Sequence, residues 1–176
     1  WTVNSTNYTA LNMPFNAGST QTDFSGNGNA ATAAGNAAYT SSGCKVGGCF
    51  TFDGTNDYVA LPSTAPLLSL SALTISLWAN ISVDGAFIGN HNSGSTWESV
   101  ELSSGSFVLN SANNSSTNRK ILTYTFPTDS SWHHVAAVWN GSAMKVYLDG
   151  VDTGGALTFS GTPWANTFPA YIGARR

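Results

Sequence analysis

Apolar and polar residues alternate with a period of two along most of this chain, and no stretch carries a helical stripe of useful length. The clearest segment is Leu73–Ser82. It places Leu73, Ile75, Leu77, Ala79 and Ile81 on one face and Thr74, Ser76, Trp78 and Asn80 on the other. Further strands are predicted over Ala10–Phe15, Cys49–Gly54, Asp57–Pro62, Gly85–Asn92, Glu98–Leu102, Ser106–Ala112, Lys120–Phe126, Trp132–Trp139, Met144–Gly150 and Ala170–Ala174. The stretch Asn140-Gly141-Ser142-Ala143 and the pair Asp149–Gly150 carry the chemistry of tight hairpin turns. Many short strands at close spacing predict an all-β sandwich of two antiparallel sheets, with the alternating apolar sets buried between them. No long-period repeat is visible, which disfavours a propeller or solenoid. The chain is read as one domain over residues 1–176, with residues 1–9 as a lead-in. Thr22–Gly43 is poor in bulky residues and reads either as a flexible linker or as a folded Asp/Asn/Gly loop.

Composition narrows the function classes. Charged residues make up 9% of the chain, against roughly 25% in ordinary soluble domains, so Ser, Thr, Asn and Gly must keep it in solution. Six Lys or Arg against nine Asp or Glu give a net charge of −3. The basic pairs Arg119–Lys120 and Arg175–Arg176 are not a patch, and nucleic-acid binding is excluded on that ground. No apolar run approaches the ~20 residues of a membrane-spanning helix, so no membrane insertion of this segment is expected. The chain begins on Trp1, without a basic region and apolar stretch, and reads as a mature or excised piece of a longer product.

Cys44 and Cys49 bracket Lys-Val-Gly-Gly. A small-loop disulfide is the first reading, with reduced structural thiols left open; a metal site would need further soft ligands close by. Asn-x-Ser/Thr acceptors stand at Asn4, Asn7, Asn80, Asn113, Asn114 and Asn140, although a chain so rich in these residues makes such triplets by chance. Scarce charge, a disulfide and these acceptors together point to an extracellular or cell-surface location.

Candidate chemistry is sparse. His133 and His134 are neighbours on one strand, so they point to opposite faces and cannot share one ion. Glycoside hydrolysis by the usual route needs two carboxyls facing one cleft, and the chain offers only Glu98 and Glu101, whose spacing throws them to opposite faces of a regular strand. No nucleophile motif is present, and no catalytic residue is assigned. Asp23, Asn27 and Asn29, curled by Gly26 and Gly28, supply the oxygen chemistry that a hard cation such as Ca²⁺ takes. Asp53 and Asp57 are the weaker candidate pair, with ordinary turn chemistry as the competing reading. Among aromatics that could stack on a sugar, Trp97 and Trp164 lie in loop-like stretches and are the favoured ligand-binding residues. Trp78, on the polar face of its strand, and Tyr147 could also stack on a sugar, with filling of the sheet's second face or a neighbour's groove as the competing reading.

The segments "DFSGNGNAAT", "GGCFTFDGTNDYVALP", "LTISLWANI", "WHHVAAVWNGSAMKVYLDG" and "YIGARR" occur in this order. In that order they resemble laminin-G-like domains of the concanavalin A-like lectin/glucanase superfamily, over roughly Leu11 to Arg176. The resemblance implies a jelly-roll sandwich in which Trp78 and Trp132 are packed and Trp-His-His-Val is structural fabric, with one imidazole buried and hydrogen-bonded and the other nearer the surface. It also implies that the Asp23 loop helps hold a structural Ca²⁺, joined by an acid from a closing strand. That closing strand, of the form GxIDEVRIYNRAL, does not follow Arg176 here. Either the sequence is cut short, or a neighbouring molecule supplies the strand by β-augmentation. The expected role is a non-catalytic adhesive or structural module of a secreted or cell-surface protein, and in the strand-exchanged case a subunit of a surface filament or assembly. Its partner would be a glycan, a surface protein or a copy of itself. A carbohydrate-binding module is the alternative, and a glycoside hydrolase the remote one.

Overall fold

The computed structural model describes residues 2–3, 6–7, 9–16, 18, 20–62, 70–90, 99–111, 118–164 and 169–174, with the side chains of Thr2, Val3, Thr6 and Asn7 outside that description. Trp97, Glu98, His91, Asn4, Asn113, Asn114, Arg175 and Arg176 fall outside the described residues, as does the Asn7 side chain.

The chain begins with β1 (Thr2–Val3), β2 (Thr6–Asn7), β3 (Thr20–Gln21), β4 (Ala31–Ala34), β5 (Ala38–Thr40) and β6 (Cys49–Thr51). It continues through β7 (Tyr58–Ala60), β8 (Leu73–Asn80), β9 (Ala86–Asn90), β10 (Val100–Ser103), β11 (Ser106–Asn110) and β12 (Arg119–Thr123). The last five strands are β13 (Trp132–Trp139), β14 (Ala143–Leu148), β15 (Val151–Asp152), β16 (Leu157–Thr158) and β17 (Ala170–Ile172). Two antiparallel sheets form the sandwich. One has eight strands in the order β12-β11-β10-β9-β17-β7-β4-β3; the other has five, in the order β15-β14-β13-β8 with β16 beside β14. Two small sheets, β1-β2 and β5-β6, stand apart from these.

Cross-strand register shows how alternation builds the core. Ala33, Val59, Ile172, Ile88, Leu102, Phe107 and Leu122 stand side by side in one row across the large sheet. All seven join the core or pack against it. From the other sheet come Ile75, Val135, Ala137, Trp139, Met144 and Val146. Fully burying a side chain the size of Phe107 or Leu102 stabilises by about 1.5–3 kcal/mol over leaving it in water. Trp139 meets Phe159 edge-on at 5.3 Å, and its buried indole N–H donates to the Phe159 carbonyl at 3.2 Å, so no polar group is left stranded there.

Asp149 and Gly150 form the two-residue loop between β14 and β15, with φ of 50° and 83°. That is the left-handed pair a tight hairpin requires, and Asp-Gly tolerates it. At the other predicted hairpin, Asn140 precedes the turn. Its side-chain oxygen accepts the amides of Ser142 (3.0 Å) and Ala143 (2.8 Å) while its own amide donates to the Ala143 carbonyl.

The expected strand at Ala10–Phe15 does not form; the segment belongs to no sheet. Pro14 has no amide to give a ladder, Phe15 turns to φ 53°, and Asn12 spends its backbone on the loop that follows. Its amide donates to Asp23 and its carbonyl accepts from Phe24. Conversely, the bulk-poor stretch holds two strands, β4 and β5. Ala31 is wholly buried, so a small residue is needed where β4 meets the core. β8 pairs with β13 along all eight residues and has no strand on its other side among the described residues.

Candidate functional site

The outward face of the five-stranded sheet is formed by alternate residues of β8, β13 and β14. Register sets Trp78 beside His134, and Ser76 beside Ala136 and then Tyr147. Trp78 remains 44% exposed. The His134 ring lies 5.3 Å from it, and His134 Nε2 and the Ser76 hydroxyl are hydrogen-bonded at 2.8 Å. Two strands inward, half-buried Tyr147 stands across small Ser76 and Ala136. Strand and residue spacings put the Trp78 and Tyr147 backbones about 12 Å apart. Two aromatic bodies thus border a low floor carrying a hydroxyl and an imidazole. The expectation that Trp78 is packed away is corrected here: among the described residues β8 lies at the edge of its sheet, and no described strand covers one flank of the indole.

A covalent ring borders this face. Cys44 and Cys49 are joined as a disulfide, with Cα atoms 5.5 Å apart. Beside it, the Trp132 indole donates to the Gly43 carbonyl at 2.8 Å, and Lys45 Nζ rests 4.4 Å from the centre of the Trp78 ring. A cation over an indole face is attracted by the ring's quadrupole, worth about 0.5–1 kcal/mol at an exposed site.

His133 points the other way, as adjacent strand positions must. Its Nδ1 meets Asp149 at 2.6 Å and its Nε2 meets Asp129 at 3.3 Å, with Phe126 edge-on at 5.7 Å. The hydrogen bond to Asp149 and then that to Asp129 hold the imidazole above its ordinary pKa against the opposing effect of burial. The same imidazole holds Asp149 below the carboxylate range. The arrangement ties the β14–β15 turn to the loop before β13.

The Asp23 loop is a clasp. The Asp23 carboxylate accepts from the amides of Asn12, Ser25 and Asn29 and from the Ser25 hydroxyl, at 2.8–3.1 Å. Burial opposes its ionisation, but the Ser25 hydroxyl and amide, with the Asn12 and Asn29 amides, outweigh that and hold it at about 2. Asn27 donates to the Thr9 carbonyl and Asn29 to that of Ala10. In this arrangement both carboxylate oxygens face N–H and O–H donors, a set that does not suit a cation. Asp57 works similarly: its oxygens accept the amides of Asn36 (2.5 Å) and Asp53 (2.7 Å). Asp53 accepts from Thr55, whose amide holds its carboxyl below the ordinary range. The described residues contain no group of three or more His, Cys, Asp or Glu side chains placed to hold a metal.

Other expected residues lie elsewhere. Trp164 is half-buried and donates its backbone amide to the Asn110 carbonyl at the end of β11. Of the acceptor asparagines, Asn80 donates its side-chain amide to Ser130, and Asn140 is exposed in its turn. Glu101 is fully buried on the side of the large sheet away from the core. Its cross-strand row, Thr20, Thr32, Ala60, Tyr171, Gly89, Val108 and Ile121, holds no second carboxylate. A cleft of about 350 Å³ lies between Asp84–Ala86 and Ser103–Gly105. Its Ser104 hydroxyl already donates to Asp84 and accepts from Gly85.

Comparison with known proteins agrees with this architecture. No curated protein matches the chain. Domain 4 of AbnA, a GH43 extracellular arabinanase from Geobacillus stearothermophilus, was solved in complex with arabinotriose. It is similar at a TM-score of 0.55 and 17% identity, over 87% of this chain and 77% of that one. The binding domain of Botulinum neurotoxin DC, in complex with rat synaptotagmin II, is similar at a TM-score of 0.62 and 16% identity, over 93% of this chain. This chain spans 43% of the length of that toxin domain. At such identities the likeness is one of fold, an all-β jelly-roll sandwich. Residues 53–176 match the Laminin_G_3 family model, and the chain belongs to that family of the concanavalin A-like lectin/glucanase superfamily.

Proposed function

We propose that this domain is a non-catalytic carbohydrate-binding module of an extracellular protein, and that the Trp78–Tyr147 face is its contact surface. The observation that carries the reading is the 44% exposure of an indole on a rigid strand, flanked by His134 and Ser76. Large aromatic side chains offer an apolar plane for a sugar's C–H face, while nearby hydroxyl and ring nitrogen atoms fix orientation. The disulfide supports an oxidising compartment. A similar fold binding arabinotriose supports a saccharide as the ligand class.

The test is retention of the folded domain on immobilised polysaccharides and a glycan array. Trp78→Ala abolishes binding without moving the thermal midpoint beyond a degree or two, because the side chain is already half in water. Retained binding in that variant with loss in Trp164→Ala or Trp97→Ala would move the site to those residues.

A second reading follows from the side of β8 that pairs with no strand among the described residues. Eight residues of edge strand offer a row of backbone donors and acceptors to a strand from elsewhere. This is the adhesive or self-assembling version of the module, with β8 as the docking edge. Particles larger than a monomer, dispersed by a proline at Ser76, would favour it over glycan binding.

A further inference from the structure

We infer that the Trp78 face selects acidic saccharides, with Lys45 as the group that reads the carboxylate or sulfate. The inference rests on the glycan-binding reading and adds the charge of the ligand to it. Lys45 is carried on a closed ring of chain, Cys44 to Cys49, whose neighbour Gly43 is fastened to Trp132 on the same sheet face. The ammonium is therefore delivered to Trp78 by a short, doubly anchored segment and not by a free loop. It rests 4.4 Å from the ring centre, and among the described residues no carboxylate forms an ion pair with it. Lys145, on the same face, is by contrast paired to Asp152 at 2.5 Å.

An ammonium held on an indole without a counter-ion is poised to exchange one partner for another. When an acidic sugar arrives, its C–H face takes the indole plane, and Lys45 lifts from the ring onto the anionic group. The Ser76 hydroxyl and His134 lie beside the ring for the sugar's remaining oxygens. A neutral sugar must displace the cation from the ring and gives it nothing in return, so it binds less well. That asymmetry is the source of selectivity. The chain's net charge of −3 repels anions in general, so affinity for an acidic glycan must come from a local cation of this kind and must weaken with salt.

The experiment is calorimetric titration of the intact, oxidised domain with three probes of equal length: an oligogalacturonate, a sulfated oligosaccharide and an uncharged oligosaccharide. Expected is at least tenfold tighter binding of one or both acidic probes, falling with added salt. The two acidic arms show whether carboxylate or sulfate is the better ligand. Lys45→Met should abolish the preference by weakening acidic binding and, with no ammonium to displace from the indole, by raising neutral affinity; Lys45→Arg should largely keep the preference. Reduction of the disulfide should lower the acidic preference without removing neutral binding. Equal affinity for charged and uncharged probes, or an unchanged preference in Lys45→Met, overturns the inference and leaves glycan binding standing. Absence of binding by all three probes to a folded domain overturns both.

Discussion

The indole N–H of Trp132 donates to the carbonyl of Gly43 at 2.8 Å, across 89 positions of sequence. That bond fixes the disulfide ring against a sheet whose strands are built from a distant part of the chain, and it determines where Lys45 can reach. Replacing both Cys44 and Cys49 by alanine should lower unfolding stability by about 2 kcal/mol on the chain-entropy model for so short a loop. It should also shift tryptophan emission to the red as Trp132 and Trp78 lose their cover. Guanidinium denaturation followed by fluorescence reads both. An unchanged emission maximum would show that the ring does not shield these indoles.

Gly35 and Gly54 separate two costs of substitution. Both have positive φ, +70° and +81°. A Cβ on Gly35 would fall 2.5 Å from the Asn56 carbonyl oxygen and 2.7 Å from Asp57, whereas one on Gly54 meets nothing within 4 Å. Gly54→Ala should cost about 1 kcal/mol, the backbone strain alone. Gly35→Ala should cost at least about 3 kcal/mol, since backbone must also move. Thermal melts of the two variants side by side check the difference.

Asp23 makes the fold sensitive to acid. Its folded pKa, about 2, lies below the unfolded carboxylate value, so its stabilisation is complete above about pH 4 and disappears as pH falls toward 2. With the group partly in solvent, the amount is about 1–2 kcal/mol. Asp23→Asn should remove that acid dependence and loosen Ala10 and Asn12, which the loop holds. Melts in chelator should match melts in calcium if the hydrogen-bonded arrangement prevails; a midpoint raised by calcium would show that the carboxylate has turned to a cation.

His133 sets a limit at the other end of the pH scale. Its folded pKa is raised by Asp149 and Asp129, so its contribution is fully present below the ordinary imidazole value and fades as pH rises through the folded one. Asp149 and Asp129, both lowered, lose theirs as pH falls through the carboxylate range. The clasp is thus strongest between about pH 4 and about pH 6.5. An NMR titration should find His133 titrating above a free imidazole, and His133→Gln should flatten the alkaline loss of stability.

The sandwich was legible because β8 and β13 alternate over eight residues each, and register then forces both apolar rows inward. Ala10–Phe15 misled because the same alternation occurs in a segment whose backbone is spent on the Asp23 loop. β4 escaped notice because Ala31 and Ala33 are too small to register as a buried face, although close packing needs that smallness. The disulfide pair was readable from spacing, since a short Cys-to-Cys interval within a turn admits few other uses. The exposed face was not. Whether Trp78 is covered depends on which strand lies at the sheet's edge, and strand order is not written in the local pattern of β8.

Asp149 occupies the left-handed corner of the β14–β15 turn and also holds His133 and the His134 amide. Replacements can therefore satisfy one demand and fail another. Glycine would ease the corner but leave the imidazole without an anion, and glutamate would keep the charge in a backbone shape it resists. Asparagine would preserve corner and acceptor yet surrender the proton affinity it lends to its neighbour. One position thus couples the shape of a hairpin to the acidity of a ring sixteen residues away.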